Sequence, residues 1–297
     1  MHRLLHTVIV PAVILAAAPA ARGLDFSGGE LLRTDNGLTF REWLPKDFAS
    51  RRHDVPLVLF SHGFGGCAQQ SRTLTQALAD AGYGVLAPNH RDEGCERYRG
   101  GLAAALRAGG IRPEKPFTAP AQWTADTEHN RRDDLEALLD YALNHEPYKS
   151  AIDPARIAVM GHSLGGYAAL GLGGAWPAWR DPRIKAVLAL SPYAAPFVAV
   201  KTLSRLAVPV MYQTGTRDIG IGPVLLRQGG YEKTRGPKYL VVLQGAGHFA
   251  WTELNPAFQK TIASYAIAFL DRELRHRPAP LLDEKPLPDV AQYRHAP

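Results

Sequence analysis

Short apolar runs alternate with longer segments of helical periodicity through most of the chain. The apolar runs lie at residues 56–61, 84–88, 157–161, 184–190, 208–214 and 239–243. The helical segments cover residues 69–81, 126–144, 165–172 and 258–273. Strands of a parallel sheet are buried on both faces, so they read as continuous apolar segments joined by helical crossovers. The pattern therefore predicts an α/β fold with a mostly parallel central sheet and helices on both faces.

The N-terminal part of this region has the pattern of a hairpin. Asp35-Asn36-Gly37 lies between two short strand-like segments at residues 31–34 and 38–43. An Asn-Gly pair between such segments is typical of a tight β-turn. We expect an antiparallel N-terminal hairpin beside the parallel sheet.

Two segments depart from the alternation of strands and helices. Residues 91–123 are too long for an ordinary connection and contain glycines, prolines and charges around one short apolar helix at residues 102–107. Long connections of this kind tend to be lids or binding loops, so we predict a lid-like insertion here. Residues 278–297 are rich in proline and are expected to form an irregular tail after a catalytic domain at residues 21–277.

Residues 1–20 have the composition of a secretory signal peptide. Arg3 precedes an apolar stretch at residues 4–18, and Ala18-Pro19-Ala20 fits a cleavage site of small residues. The stretch is short for a bilayer span and contains Pro11, so a membrane anchor is the weaker interpretation. No other segment has a transmembrane pattern. We therefore expect export to the periplasm or the exterior, with no membrane span after processing.

Composition and cysteine content narrow the classes of function. Hydrophobic residues make up 46% and charged residues 21% of the chain, which excludes disorder over most of its length. The net charge is +6, but the basic residues are scattered and form no stripe, so no nucleic-acid partner is expected. Cys67 and Cys95 are the only cysteines. Two cysteines cannot make a four-ligand metal site alone, and after export they are expected to form a disulfide.

The strongest chemical signal is Gly161-His162-Ser163-Leu164-Gly165, a G-x-S-x-G motif between an apolar run and a helical segment. In this context the serine occupies a strained strand-to-helix turn and projects its hydroxyl, and the small neighbours allow close backbone packing. We predict that Ser163 is a nucleophile. A glycine-rich turn that merely joins two elements is the alternative.

A second motif, His62-Gly63-Phe64-Gly65-Gly66, follows the first apolar run. We call residues 62–66 the glycine loop. Acyl transfer develops negative charge on a carbonyl oxygen, and backbone N–H groups in such a loop can stabilise it together with the residue after the nucleophile. We assign these two oxyanion donors to Phe64 and Leu164.

A serine nucleophile needs a histidine base, which in turn is oriented by a carboxylate. In this architecture both follow the serine in the chain, at the ends of later strands. His248 lies just past the last apolar run, and Asp218 follows the run at residues 208–214, whereas Asp181 precedes a strand. The predicted triad is therefore Ser163, Asp218 and His248, and it requires no metal or organic cofactor.

Over residues 55–271 the order of these motifs resembles the α/β-hydrolase superfamily. The motifs are the glycine loop, the segment at residues 161–166, Arg132-Asp133-Asp134 and Gly247-His248-Phe249. They resemble dienelactone hydrolase-like esterases, platelet-activating-factor acetylhydrolases and cutinase-like polyester hydrolases. The resemblance implies the same triad and oxyanion donors. Dienelactone hydrolase itself uses a cysteine nucleophile, so lactone specificity does not carry over to a chain with Ser163.

These observations predict a serine esterase that cleaves a small-molecule or lipid-like carboxylic ester. Phe64 and Tyr193 both follow predicted strands, at the edge of the sheet that carries the predicted triad. We therefore expect them to contact substrate. A lipase, phospholipid acyl hydrolase or polyester hydrolase would differ only in pocket and lid. The charged insertion does not favour a lipase. An acyltransferase or a non-catalytic binding protein is less consistent with an intact set of serine, aspartate and histidine.

Overall fold

The structure is a computed structural model that describes residues 29–95 and 112–297. The predicted signal peptide and the short helix expected at residues 102–107 lie outside the described residues.

One mixed sheet of nine strands runs through the described part of the chain. The strands are β1 (Glu30–Arg33), β2 (Thr39–Trp43), β3 (Val55–Ser61), β4 (Gly84–Pro88), β5 (Ile152–His162), β6 (Ile184–Leu190), β7 (Val210–Gly215), β8 (Lys238–Leu243) and β9 (Val290–Ala296). Their order is β1-β2-β4-β3-β5-β6-β7-β8-β9. Strands β3 to β8 are parallel, and β1, β2 and β9 pair antiparallel at the edges.

Helices cover both faces of this sheet. They are α1 (Arg72–Asp80), α2 (His129–Asn144), α3 (Tyr148–Ala151), α4 (Leu164–Leu170), α5 (Ala195–Ala199), α6 (Gly222–Leu226), α7 (Gly230–Lys233) and α8 (Gln259–Arg275). Helices α2 and α4 contribute to one buried core, and α1 and α8 contribute to a second one. Along β3, Leu57 and Leu59 face the first core, and Val58 and Phe60 face the second. Alternate side chains of one strand thus enter both cores, which explains its continuous apolar pattern.

The predicted α/β architecture is confirmed. The six apolar runs form the parallel strands β3 to β8, and the four helical segments correspond to α1, α2, α4 and α8. The expected hairpin is also present, since β1 and β2 pair antiparallel around a turn in which Gly37 has a φ of 89°. A positive φ at this position explains the choice of glycine.

The C-terminal segment differs from the irregular tail that its prolines suggested. Val290–Ala296 forms β9, which pairs antiparallel with β8 and completes the sheet edge. Tyr293 packs against the core beneath α8, and its hydroxyl donates to the Leu282 carbonyl at 2.9 Å. The strand forms because β8 would otherwise leave its backbone groups unpaired at this edge.

The predicted disulfide between Cys67 and Cys95 is present. Cys67 lies between β3 and α1, and Cys95 follows β4. Because β3 and β4 are parallel neighbours, both cysteines lie at the carboxyl edge of the sheet. Among the described residues, no helix has the length and apolar character needed to cross a membrane.

Candidate active site

The residues singled out from the sequence converge at the carboxyl edge of the parallel strands. The glycine loop follows β3, Ser163 follows β5, Asp218 follows β7 and His248 follows β8. Carboxyl ends of parallel strands meet at one edge of an α/β sheet, which is where such folds place their ligand sites. Chain segments far apart in sequence therefore contribute to one cleft.

Ser163 lies at a sharp turn between β5 and α4. Its φ of 55° and ψ of −115° are strained values for a residue with a side chain. The turn is possible because its neighbours are small: a Cβ at Gly161 would collide with the Gly165 backbone, and one at Gly165 would collide with the Ser61 carbonyl. The local sequence thus forms a nucleophile elbow, with the serine hydroxyl presented to the cleft.

His248 contacts the Ser163 hydroxyl directly. The distance from His248 Nε2 to Ser163 Oγ is 2.9 Å. Nδ1 of the same ring lies 3.4 Å from a carboxylate oxygen of Asp218, which is almost completely buried. With the ring proton on Nδ1, Nε2 is free to accept the serine proton. The three residues predicted as a triad are therefore brought together, although the contact with the carboxylate is longer than an ideal hydrogen bond.

Ser191 is a buried member of this cluster that the sequence analysis did not identify. It follows β6 directly, and its Oγ lies 3.0 Å from His248 Nδ1 and donates to an oxygen of Asp218. Its φ is 43°, so its backbone is strained like that of Ser163. The signal available in the sequence was its position at the end of a strand, at the same edge as the other site residues.

His162 supports the loop that bears His248. Its Nε2 donates to the His248 carbonyl at 2.8 Å, and its Nδ1 accepts from the Gln70 amide at 2.9 Å. Burial, together with the nearby His248, lowers the pKa of His162 to about 3, so its ring is neutral at physiological pH. A neutral ring satisfies both contacts with one proton.

The two residues predicted to supply oxyanion donors, Phe64 and Leu164, lie in segments next to Ser163. Leu164 is the first residue of α4, where N–H groups have no partner within the helix. The Phe64 N–H lies in the glycine loop and has no acceptor in the part of the chain that the structure describes. A Cβ placed on the neighbouring Gly63 would lie 3.4 Å from the Ser163 Cβ, so the loop approaches the serine closely. The arrangement can offer two hydrogen bonds to an oxyanion.

Aromatic side chains form the walls of a cleft of about 360 Å³ above Ser163. Phe117 forms edge-to-face contacts with Phe64 and Tyr193, with ring centroids 5.5 and 5.0 Å apart. The Tyr193 hydroxyl also donates to the Phe117 carbonyl at 2.8 Å. Both predicted substrate-binding residues line the cleft, and Phe117, from the insertion, forms a third wall. Apolar or aromatic ester groups fit such walls.

A second Ser-His-Asp arrangement lies beneath the glycine loop. His90 contacts Ser61 Oγ through Nε2 and Asp134 through Nδ1, each at 2.8 Å. Ser61 is completely buried, and its oxygen also accepts a hydrogen bond from Arg131. Because no substrate can reach this hydroxyl, the arrangement is structural rather than nucleophilic.

One cluster of potential metal ligands occurs among the described residues, namely Cys67, Cys95 and Glu93. Both cysteines are in the disulfide and offer no thiolate. This cluster therefore does not form a metal site.

Comparison with known proteins agrees with this architecture. The family described as PET hydrolase-like matches residues 117–282, more than half of the chain. The family described as platelet-activating factor acetylhydrolase, isoform II, matches residues 44–98. The solved structure of a ferulic acid esterase from Streptomyces cinnamoneus covers 80% of this chain and 73% of its own, with 23% identity and a TM-score of 0.56, and it supports the fold alone.

Curated relatives include Cutinase 2 of Thermobifida cellulosilytica, which is 34% identical over 161 residues. That match covers 52% of this chain and 56% of the relative. A bis(hydroxyethyl) terephthalate hydrolase of Streptomyces coelicolor is 27% identical over 183 residues, 60% of this chain and 55% of the relative. The chain thus spans about half the length of the curated relatives it matches.

Proposed function

Because the chain belongs to the PET hydrolase-like family of α/β-hydrolases, we propose that it cleaves carboxylic esters through an acyl-enzyme on Ser163. The observation that supports this proposal most strongly is the 2.9 Å contact between Ser163 Oγ and His248 Nε2 at a strained elbow. A fold of this kind does not by itself specify chemistry, so the proposal rests on the site.

The reaction proceeds in two steps. His248 Nε2 takes the hydroxyl proton as Ser163 Oγ bonds to the ester carbonyl carbon, and the carbonyl electrons move onto oxygen. The N–H groups of Phe64 and Leu164 hold this oxyanion. Collapse of the intermediate expels the alcohol, which receives the proton from His248. Water then repeats the sequence on the acyl-enzyme and releases the acid, while Asp218 stabilises the imidazolium that forms in each step.

The cleft supports a substrate with an apolar or aromatic group beside the ester bond. Phe64, Phe117 and Tyr193 offer ring faces and edges within a cavity of about 360 Å³, which suits a small ester or the end of a longer chain. Polyester hydrolysis is the second candidate. It is favoured by the match to the PET hydrolase-like family and by the similarity to a cutinase and to a bis(hydroxyethyl) terephthalate hydrolase.

We place the enzyme outside the cytoplasm, in the periplasm or the exterior. The signal-like composition of residues 1–20 and the disulfide between Cys67 and Cys95 both support this location. N-terminal sequencing of the protein recovered after export tests it, since cleavage after Ala20 yields a chain that begins at Ala21.

A panel of p-nitrophenyl esters of increasing acyl length tests the activity, with bis(hydroxyethyl) terephthalate and a polyester film as further substrates. We expect hydrolysis of the soluble esters by the wild-type protein and by the surface variant Ser150→Ala, and none above background by Ser163→Ala. If the wild-type protein hydrolyses the soluble esters but not the film, its function is limited to soluble esters. Full activity in Ser163→Ala would overturn the proposal.

A further inference from the structure

Two charged side chains hold the backbone of the glycine loop from below. Arg131 Nη1 donates to the His62 carbonyl at 2.6 Å, and Nη2 donates to both oxygens of Asp92 at 2.8 Å. Asp92 in turn accepts the Gly65 N–H at 2.9 Å. The ion pair therefore binds the loop on both sides of Phe64.

Two further N–H groups of the loop, those of Gly63 and Gly66, also have partners. Gly63 donates to the Gln70 side chain at 3.0 Å, and Gly66 donates to the Gly63 carbonyl at 3.0 Å. The Phe64 N–H, between Gly63 and Gly65, has no acceptor among the described residues. An oxyanion donor must be fixed in direction before the reaction and yet remain unpaired. The contacts around Phe64 meet both conditions.

Burying this ion pair costs desolvation free energy. The Arg131 side chain is completely buried and that of Asp92 is 10% exposed. A buried ion pair is weak evidence for stability, since apolar residues of similar volume often stabilise a fold equally well. Burial alone would raise the pKa of Asp92, but the Arg131 guanidinium, together with His62, His90 and the Gly65 N–H, outweighs this effect and holds the pKa below its usual range. Asp92 is therefore an ionised, strong acceptor for the Gly65 N–H.

We propose that Arg131 and Asp92 are positioning residues, which hold the glycine loop so that the Phe64 N–H points at the developing oxyanion. This role rests on the proposed ester hydrolysis. Neither side chain touches the substrate. Both act through the peptide groups next to Phe64.

The double variant Arg131→Met/Asp92→Leu tests the proposal, because it removes both charges without leaving one of them buried and unpaired. The matched control is Arg275→Met/Asp271→Leu. It removes another largely buried pair, with a contact of 3.1 Å, at the end of α8 and away from the glycine loop. The measurements are kcat and KM for p-nitrophenyl acetate, the melting temperature and amide hydrogen exchange of residues 62–66.

We expect kcat of the Arg131/Asp92 variant to fall about 10- to 100-fold. This loss is smaller than the roughly 100- to 1,000-fold loss that follows when one oxyanion donor is removed completely, because the Phe64 N–H is displaced but still present. KM should change less than about threefold, because the oxyanion forms only in the transition state. Exchange in the loop should accelerate relative to the wild type and the control. A kcat equal to that of the control, or a loss of kcat without faster exchange, would overturn the proposal. If the double variant does not fold, Asp92→Asn is judged by the same criteria.

Failure of the proposed function would be recognised separately. In that case the wild-type protein itself would hydrolyse no ester, whatever the state of the loop. The exchange rates of residues 62–66 would then decide whether Arg131 and Asp92 hold the loop, and unchanged rates in the double variant would contradict this role.

Discussion

The hydroxyl of Ser191 lies 3.0 Å from Nδ1 of His248, closer than the Asp218 carboxylate at 3.4 Å. The Ser191 hydroxyl donates to Asp218, and its oxygen can at the same time accept a hydrogen bond from Nδ1–H of His248. We therefore expect Asp218 to orient His248 both directly and through a buried hydroxyl. Such a network strengthens the contact between the base and the acid in a low-dielectric site.

Ser191→Ala should lower kcat for ester hydrolysis about tenfold, the equivalent of one hydrogen bond. KM should change little, because the ring and its carboxylate remain in place. Steady-state kinetics with p-nitrophenyl acetate provides the measurement. Unchanged kcat would show that His248 depends on Asp218 alone.

Asp218→Asn should have a much larger effect than Ser191→Ala. The asparagine amide can donate to Nδ1, which favours the tautomer that cannot accept the Ser163 proton. By analogy with serine proteases, kcat should fall on the order of ten-thousandfold with little change in KM. Asp181→Asn serves as the control, since Asp181 lies before β6 and pairs with Arg183. Near-normal turnover in Asp218→Asn, or a comparable loss in the control, would place the catalytic carboxylate elsewhere.

Three buried histidines should each cost stability as the pH falls below about 6.5. Burial lowers the pKa of His62 and of His162 to about 3, and lowers that of His90 as well, from an ordinary value of 6.5. Between these values the unfolded chain binds protons that the folded protein does not. Each such histidine removes up to about 1.4 kcal/mol of unfolding free energy per pH unit.

Asp134 opposes this trend with a single proton. Burial raises its pKa from 3.8 to about 6, so the folded protein gains relative stability as the pH falls through that window. Burial also raises the pKa of Glu42, Glu128 and Glu136 from 4.5, so these carboxyl groups oppose the histidines in the same sense.

The comparison of variants isolates one histidine. Between pH 7 and 5, acidification should cost less unfolding free energy in His162→Gln than in the wild type, and as much as in the wild type in His129→Gln, whose side chain is exposed. Chemical denaturation at each pH measures these slopes. Equal slopes in all three proteins would contradict this account.

Phe117 is expected to limit the size of the acyl or alcohol group that enters the cleft. Its ring packs against both Phe64 and Tyr193, and Phe117→Ala would open the space between them. In Phe117→Ala, kcat/KM for p-nitrophenyl acetate should fall about two- to tenfold because aromatic contacts are lost. For esters of bulky aromatic acids, kcat/KM should rise relative to that for the acetate ester. The ratio of kcat/KM for benzoate and acetate esters measures this effect.

Phe249→Ala provides the comparison for Phe117→Ala. Phe249 is a half-exposed ring that also lines the cleft, but it contacts His248 rather than the other aromatic walls. Its loss should affect both esters similarly. A benzoate-to-acetate ratio that stays the same in Phe117→Ala would show that Phe117 does not limit substrate size.

The features that the sequence predicted are those with strong local patterns. Strands β3 to β8 each contain one of the six apolar runs, and the elbow at Ser163 combines small residues with a strand before it and a helix after it. Chain order then indicated Asp218 and His248, because parallel strands bring their carboxyl ends to one edge. The structure brings these residues together, and their catalytic roles remain predictions.

The features that the sequence did not reveal depend on contacts between distant segments. β9 contains polar residues and arginine at an exposed edge, so its pattern is weak until β8 lies beside it. Arg131 and Asp92 are 39 positions apart and resemble ordinary surface charges in the sequence. Only the fold buries them beneath the glycine loop. Ser191 likewise becomes recognisable once β6 places it next to His248.

The central claim is that Ser163 is the reactive nucleophile, and mapping the adduct of a fluorophosphonate probe tests it most directly. The folded wild-type protein would be labelled, digested and analysed by mass spectrometry. We predict one modified residue, Ser163, and no labelling in Ser163→Ala under the same conditions. A probe attached to another serine, or labelling that persists in Ser163→Ala, would contradict the claim.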